Sequence, residues 1–117
     1  MLTFAIPVHS WTMKLLTAFV QEIDAPSVSE DLRSNGHRFT RIPSIGGFLE
    51  EPNATFVLAV EDDQLEDVLA SFERSSKARD VELPVSLRDR LEDWRAATVR
   101  HGGATILVSE LARIHKT

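Results

Sequence analysis

The sequence has no cysteine, no excess of basic residues and no apolar run long enough to cross a bilayer. Without cysteine there is neither a disulfide framework nor a thiolate metal site, which fits a reducing compartment. The formal charge of -5 excludes a bulk electrostatic hold on a nucleic acid polymer or an anionic membrane surface, so any anionic partner has to be met locally. The first apolar run, Leu2 to Val8, is far shorter than a membrane span and lacks a cationic start. It is followed by His9, Ser10, Trp11 and Thr12 rather than by small residues suited to cleavage, so it does not read as a signal peptide. The expected location is the cytoplasm, with no membrane partner.

Catalytic and metal-binding patterns are missing as well. His9, His37, His101 and His115 have no metal-ligand spacing. Serines are plentiful, yet there is no nucleophile elbow and no grouping of nucleophile, base and orienting residue. The acidic run from Glu61 to Asp67 lacks the glycine and the spacing of a calcium loop, and a helix N-terminus rich in acid accounts for it. There is no internal repeat or low-complexity segment. These absences favour a binding module over an enzyme, with no metal and no resident cofactor.

What is present is one folded domain: 117 residues, 43% of them apolar and 26% charged. Met13 opens a strand over 14–21, and residues 1–12 read as an N-terminal extension to a domain over 13–117, either an extra edge strand or an early start. Asp24 before Ala25 and Pro26 predicts a helix N-cap, and Gly36 predicts a left-handed stop about ten residues later. Strands are expected over 38–43 and 54–60. A second helix, capped by Asp62 or Asp63 with Glu66, carries Leu65, Val68, Leu69 and Phe72 on one face. After Lys77 the chain becomes charged and irregular, with a short helix over 86–94 as one option and a long loop as the other. Strand composition returns on both sides of Gly102 and Gly103.

The order is β-α-β-β-α-β, an α+β ferredoxin-like arrangement with an antiparallel sheet and both helices on one face. Leu15, Ala18, Val57, Ala59, Ile106 and Val108 make the strands apolar on both faces. The uncovered face is therefore expected to be buried by other copies of the chain, as in a ring of subunits.

One stretch invites a ligand. Residues 44–56 read SIGGFLEEPNATF, and a second glycine pair follows at Gly102 and Gly103. Glycines bring main-chain N–H groups close to an anion, Phe48 offers a stacking face for a base, and Asn53 offers an amide edge. These are parts of a nucleotide pocket.

Taken in order, MKLLTAFVQ, SIGGFLEEPNATF, VEDDQLEDVLASF and HGGATILV resemble the PII-like cyclic-di-AMP receptor family, over Met13 to about Ser109. The resemblance implies a homotrimeric signal-transduction protein, not an enzyme, that binds the dinucleotide in clefts between subunits and relays binding through loop rearrangement to a protein target. It implies that Arg38 and Thr40 face phosphates and base, that Gly47, Phe48 and Leu49 give backbone and stacking contacts, that Asn53 reads a base, and that Gly102 and Gly103 approach the ligand across the subunit boundary.

The sequence also departs from the family pattern. Glu50, Glu51 and Pro52 stand where a basic residue and a glycine are usual, Ala54 replaces a threonine, and Gly36 replaces an asparagine. A carboxylate about 7 Å from a phosphate charge costs roughly 0.6 to 2.4 kcal/mol for effective dielectrics between about 80 and 20. An alternative therefore stays open: a PII-like regulator that has lost this ligand and senses another small molecule, or acts only through protein contacts.

Overall fold

Alternation places Leu16, Ala18 and Val20 on one side of β1 (Met13–Gln21), where all three are buried. The same alternation runs through β3 (Pro52–Glu61), with Ala54, Phe56, Leu58 and Val60 buried. The structure is a computed structural model and describes residues 12–46, 51–77, 79–82, 98–101 and 103–117, with the backbone alone for 79–82 and 98–101. The remaining elements are α1 (Ala25–Ser34), β2 (Thr40–Ile45), α2 (Leu65–Ser75), β4 (Arg79–Glu82), β5 (Thr98–His101) and β6 (Ala104–Leu111). Four strands form an antiparallel sheet in the order β2-β3-β1-β6, and β4 pairs with β5 in a separate ribbon. The sheet and two helices have the predicted ferredoxin-like topology, with the ribbon inserted between α2 and β6.

Several local expectations are corrected. Asp24 stands at the N-cap of α1, but its buried carboxylate accepts the Lys77 N–H at 3.1 Å instead of capping the helix. Asp62 to Gln64 form a 3-10 turn, and no side chain caps α2. Asp62 instead receives the Thr12 hydroxyl and the Lys14 ammonium, the latter at 2.9 Å. β2 starts two residues later than predicted, because Phe39 turns inward against Phe56, 5.4 Å between ring centroids. β3 starts two residues earlier, with Pro52 at the first strand position, where its missing N–H costs least. β4 was not foreseen. The option of a helix over 86–94 and the extension before residue 12 lie outside the described residues.

The end of α1 follows its glycine. Gly36 has φ +80°, its N–H donates to Arg33 O at 3.1 Å, and the His37 N–H donates to Leu32 O at 2.9 Å. This pair of bonds is the Schellman termination that favours glycine at this point.

The helices are joined through Asp31. Its carboxylate receives Arg74 Nη2 at 2.7 Å and Nε at 3.1 Å, Ser71 Oγ at 2.9 Å and Ser75 Oγ at 3.0 Å. These donors, Arg74 first, hold the Asp31 carboxyl far below the usual carboxylate range. A lowered folded-state pKa gives stability that is complete above the unfolded value, about pH 4, and is lost as pH falls toward the folded value. Asp31→Asn should therefore be less stable than the native chain at neutral pH and should lose less on acidification. Urea unfolding at about pH 7, 4 and 2 reads this, and parallel pH curves for the two proteins would reject it.

The two helices cover one face of the sheet. Ala18 and Ile106 are on that side, with Val108 also there but 43% exposed at the edge. Leu15, Val57 and Ala59 are on the other, together with Phe19, Ile42 and Leu107. Phe19 is 36%, Ile42 47% and Leu107 57% exposed. No described element covers this second face.

Candidate ligand-binding site

The register divides the predicted site residues between the two ends of β2. Thr40 pairs with Val57, so Thr40 lies on the uncovered face, with Arg38 just before it. Arg38 lines a depression of about 360 Å³ with Met13, Gly36, His37, Ala59, Val60, Glu61 and Gln64. The Schellman turn fixes the backbone before Arg38, and His37 Nε2 lies 2.6 Å from Asp67 Oδ2 with its side chain only 7% exposed. Arg38 is exposed and has no hydrogen-bond or ion-pair partner among the described residues. Lys14, Arg33, Arg41 and Arg74 all have internal acceptors.

Asn53 lies at the other end. It pairs with Ser44 on β2 and with Gln21 on β1. Ala104 pairs with Val20, so Gly103 falls at the same end of the sheet as Asn53. Six residues of extended chain put about 20 Å between the Arg38 and Ser44 positions. Asn53 and Gly103 are thus brought to one end, while Arg38 and Thr40 are kept at the other.

Around Asn53 the chain is closely set. Gly46 N–H donates to Glu51 O at 2.9 Å, which closes the connection between β2 and β3. Ser44 Oγ and Thr55 Oγ1 are 2.8 Å apart. Asn53 Oδ1 is buried and has no hydrogen-bond partner among the described residues. A buried acceptor left unpaired costs about 1–3 kcal/mol, so an N–H or O–H donor is expected to meet it. Gly47, Phe48, Leu49 and Glu50 lie outside the described residues, as does Gly102.

A profile of the cyclic-di-AMP receptor family matches residues 13–117. The chain belongs to that family. The fold is also similar to the crystal structure of a functionally unknown protein from Pediococcus pentosaceus. The TM-score is 0.68 at 27% identity, covering 91% of this chain and 98% of that one. Among the described residues, the exposed Arg38 guanidinium and the buried Asn53 Oδ1 are both left without a partner by the fold.

Some neighbours of the site were not legible in the sequence. Gly46 lies so near Asn53 that a Cβ on it would crowd the amide, yet the two are seven positions apart and are brought together only because β2 and β3 pair. Gln21 reaches the root of the β4–β5 ribbon, donating Nε2 to Lys77 O at 2.9 Å. The strand pattern around Gln21 gives no sign of this contact. Ser44 and Thr55 are signalled only by the cross-strand register, which sequence alternation leaves undetermined. No described helix is long and apolar enough to cross a membrane.

Proposed function

We propose that the protein is a PII-like signalling receptor that binds cyclic-di-AMP, without catalysis, in clefts between the subunits of a homotrimer. Loop rearrangement on binding then changes its affinity for a protein target. The observation that carries this reading is the division of the motif. Arg38 stands about 20 Å and Thr40 about 13 Å from the Asn53 end of the β2–β3 pair, by a sheet face left apolar and uncovered, so a neighbouring copy is needed to complete a pocket. Phosphates meet Arg38 and Thr40, and a base edge meets Asn53. The Gly47 to Leu49 stretch and the Gly102–Gly103 pair supply backbone and stacking contacts.

Titration calorimetry with cyclic-di-AMP, ATP and ADP tests the ligand. Saturable heat with cyclic-di-AMP alone is expected, and a response only to ATP or ADP would replace this ligand. Light scattering should give about three chain masses for the native protein. Leu107→Glu, which puts a carboxylate on the apolar face, should give single chains. A native protein that runs as a stable monomer would remove the intersubunit cleft.

A second reading rests on Glu50, Glu51 and Pro52. Glu51 is held at the mouth of the connection by its carbonyl bond from Gly46, at the Asn53 end of the site, and Glu50 adjoins it in sequence, so two acids enter a motif meant for a dianion. Such a protein binds another small molecule or acts through protein contacts alone. Glu50→Arg with Glu51→Ala should tighten cyclic-di-AMP binding by about threefold to tenfold or more, with the gain shrinking as salt rises. An unchanged affinity at low salt would show that charge is not what limits binding.

A further inference from the structure

Gly46 is not glycine for the sake of its backbone. Only Gly36 has a positive φ among the described glycines, so the conformation at residue 46 is open to other residues. What crowds a side chain there is Asn53. A Cβ at residue 46 would stand 3.0 Å from Asn53 Nδ2 and 4.0 Å from its Cγ, with Glu51 O at 3.8 Å. The backbone cannot easily retreat, because the Gly46 N–H is bonded to Glu51 O.

We infer that Gly46 is a positioning residue for Asn53: its missing side chain lets the amide nitrogen lie against residue 46, so that the buried oxygen is offered to a ligand N–H donor. This rests on the receptor reading above and refines its specificity. With Nδ2 turned toward Gly46, Oδ1 is on the branch of the amide facing away from it, and that oxygen has no partner among the described residues. A bare acceptor selects a base edge carrying an amine, as adenine does, and opposes one carrying a carbonyl in the same place. A methyl at residue 46 makes the amide give by a few tenths of an ångström or turn, which takes the acceptor out of its place.

The test uses the full chain in four forms: native, Gly46→Ala, Asn53→Ala and both together. Each is titrated with cyclic-di-AMP and with its inosine analogue, in which the amine is replaced by a carbonyl. Gly46→Ala should weaken cyclic-di-AMP binding by about tenfold, with little effect on the analogue. In the Asn53→Ala background the same change should alter affinity by less than about twofold, since the residue through which Gly46 acts is gone. Equal losses in both backgrounds, or no loss in either, would overturn the inference.

Two further readouts separate its failure from failure of the receptor reading. In the free protein, the Asn53 side-chain NH₂ pair, assigned by its disappearance in Asn53→Ala, should shift in Gly46→Ala, and an unmoved pair overturns the positioning role whether or not a dinucleotide binds. If Gly46→Ala melts early, adding Asn53→Ala should restore the melting temperature, because the obstructing amide has been removed. An unrestored melt places the clash elsewhere and overturns it too.

Discussion

Phe56→Ala is expected to destabilise the protein by about 3–5 kcal/mol, the cost of removing a large aromatic from a packed interior. Phe56 is fully buried on the helix side of the central strand β3, with Phe39 at 5.4 Å and Phe72 edge-on at 5.7 Å between ring centroids. It therefore joins the chain entering β2 to the core face of α2, and no small shift of one element fills the space it leaves. Set against the about 5–15 kcal/mol that holds a domain of this size together, the loss is large. A fall in melting temperature of roughly 10 °C or more should follow at fixed protein concentration. Phe19→Ala removes an aromatic from the uncovered face and should act on the mass in solution before it acts on folding of the chain. Equal destabilisation by the two changes at a concentration where the protein is monomeric would mean that the core is not where the helices place it.

The contrast between those phenylalanines also marks how far the sequence can be read. Short apolar runs rich in strand-forming residues made β1 and β3 legible, and the spacing of Leu65, Val68, Leu69 and Phe72 made α2 legible, because that spacing reports one face meeting one core. Gly36 was legible for a local reason, a backbone conformation that other residues avoid. Capping was misread, because Asp24 and Asp62 have the residue type of helix caps but are bonded to Lys77 and Lys14, partners distant in sequence. β4 was missed for the same reason: Arg79–Glu82 is polar and becomes a strand by pairing with Thr98–His101, far along the chain.

The candidate site behaves likewise. Its motif named Arg38, Thr40 and Asn53, which are close in sequence but are carried apart by an extended strand. Gly46 shows its role only when the Cβ it lacks is set beside an amide on the next strand. Sequence supplied the chemistry of the groups, and the register supplied which of them stand together.

Arg38 carries the largest expected effect on binding. Among the described cations, Lys14 is shared between Asp62 and Glu110, Arg33 lies near Glu30, Arg41 donates to Ser29, and Arg74 is taken by Asp31. Arg38 stands exposed at the edge of the uncovered face, on backbone held by the turn at Gly36 and by the contact of His37 with Asp67. A guanidinium in that position gives a phosphate two parallel donors, a stronger and more directional contact than a neutral group provides. Arg38→Ala should weaken cyclic-di-AMP binding by about tenfold or more, while the melting temperature of the free protein changes little, since no internal bond of the described structure is lost. Arg38→Lys should fall between the two, because an ammonium keeps the charge and loses the planar fork. The difference between native and Arg38→Ala affinities should narrow as salt is raised, because salt screens the attraction between an exposed guanidinium and the phosphates. Unchanged affinity in Arg38→Ala would place the phosphates away from β2. The apolar face would then serve assembly alone, and the second reading, a PII-like protein with another ligand or none, would take the place of the first.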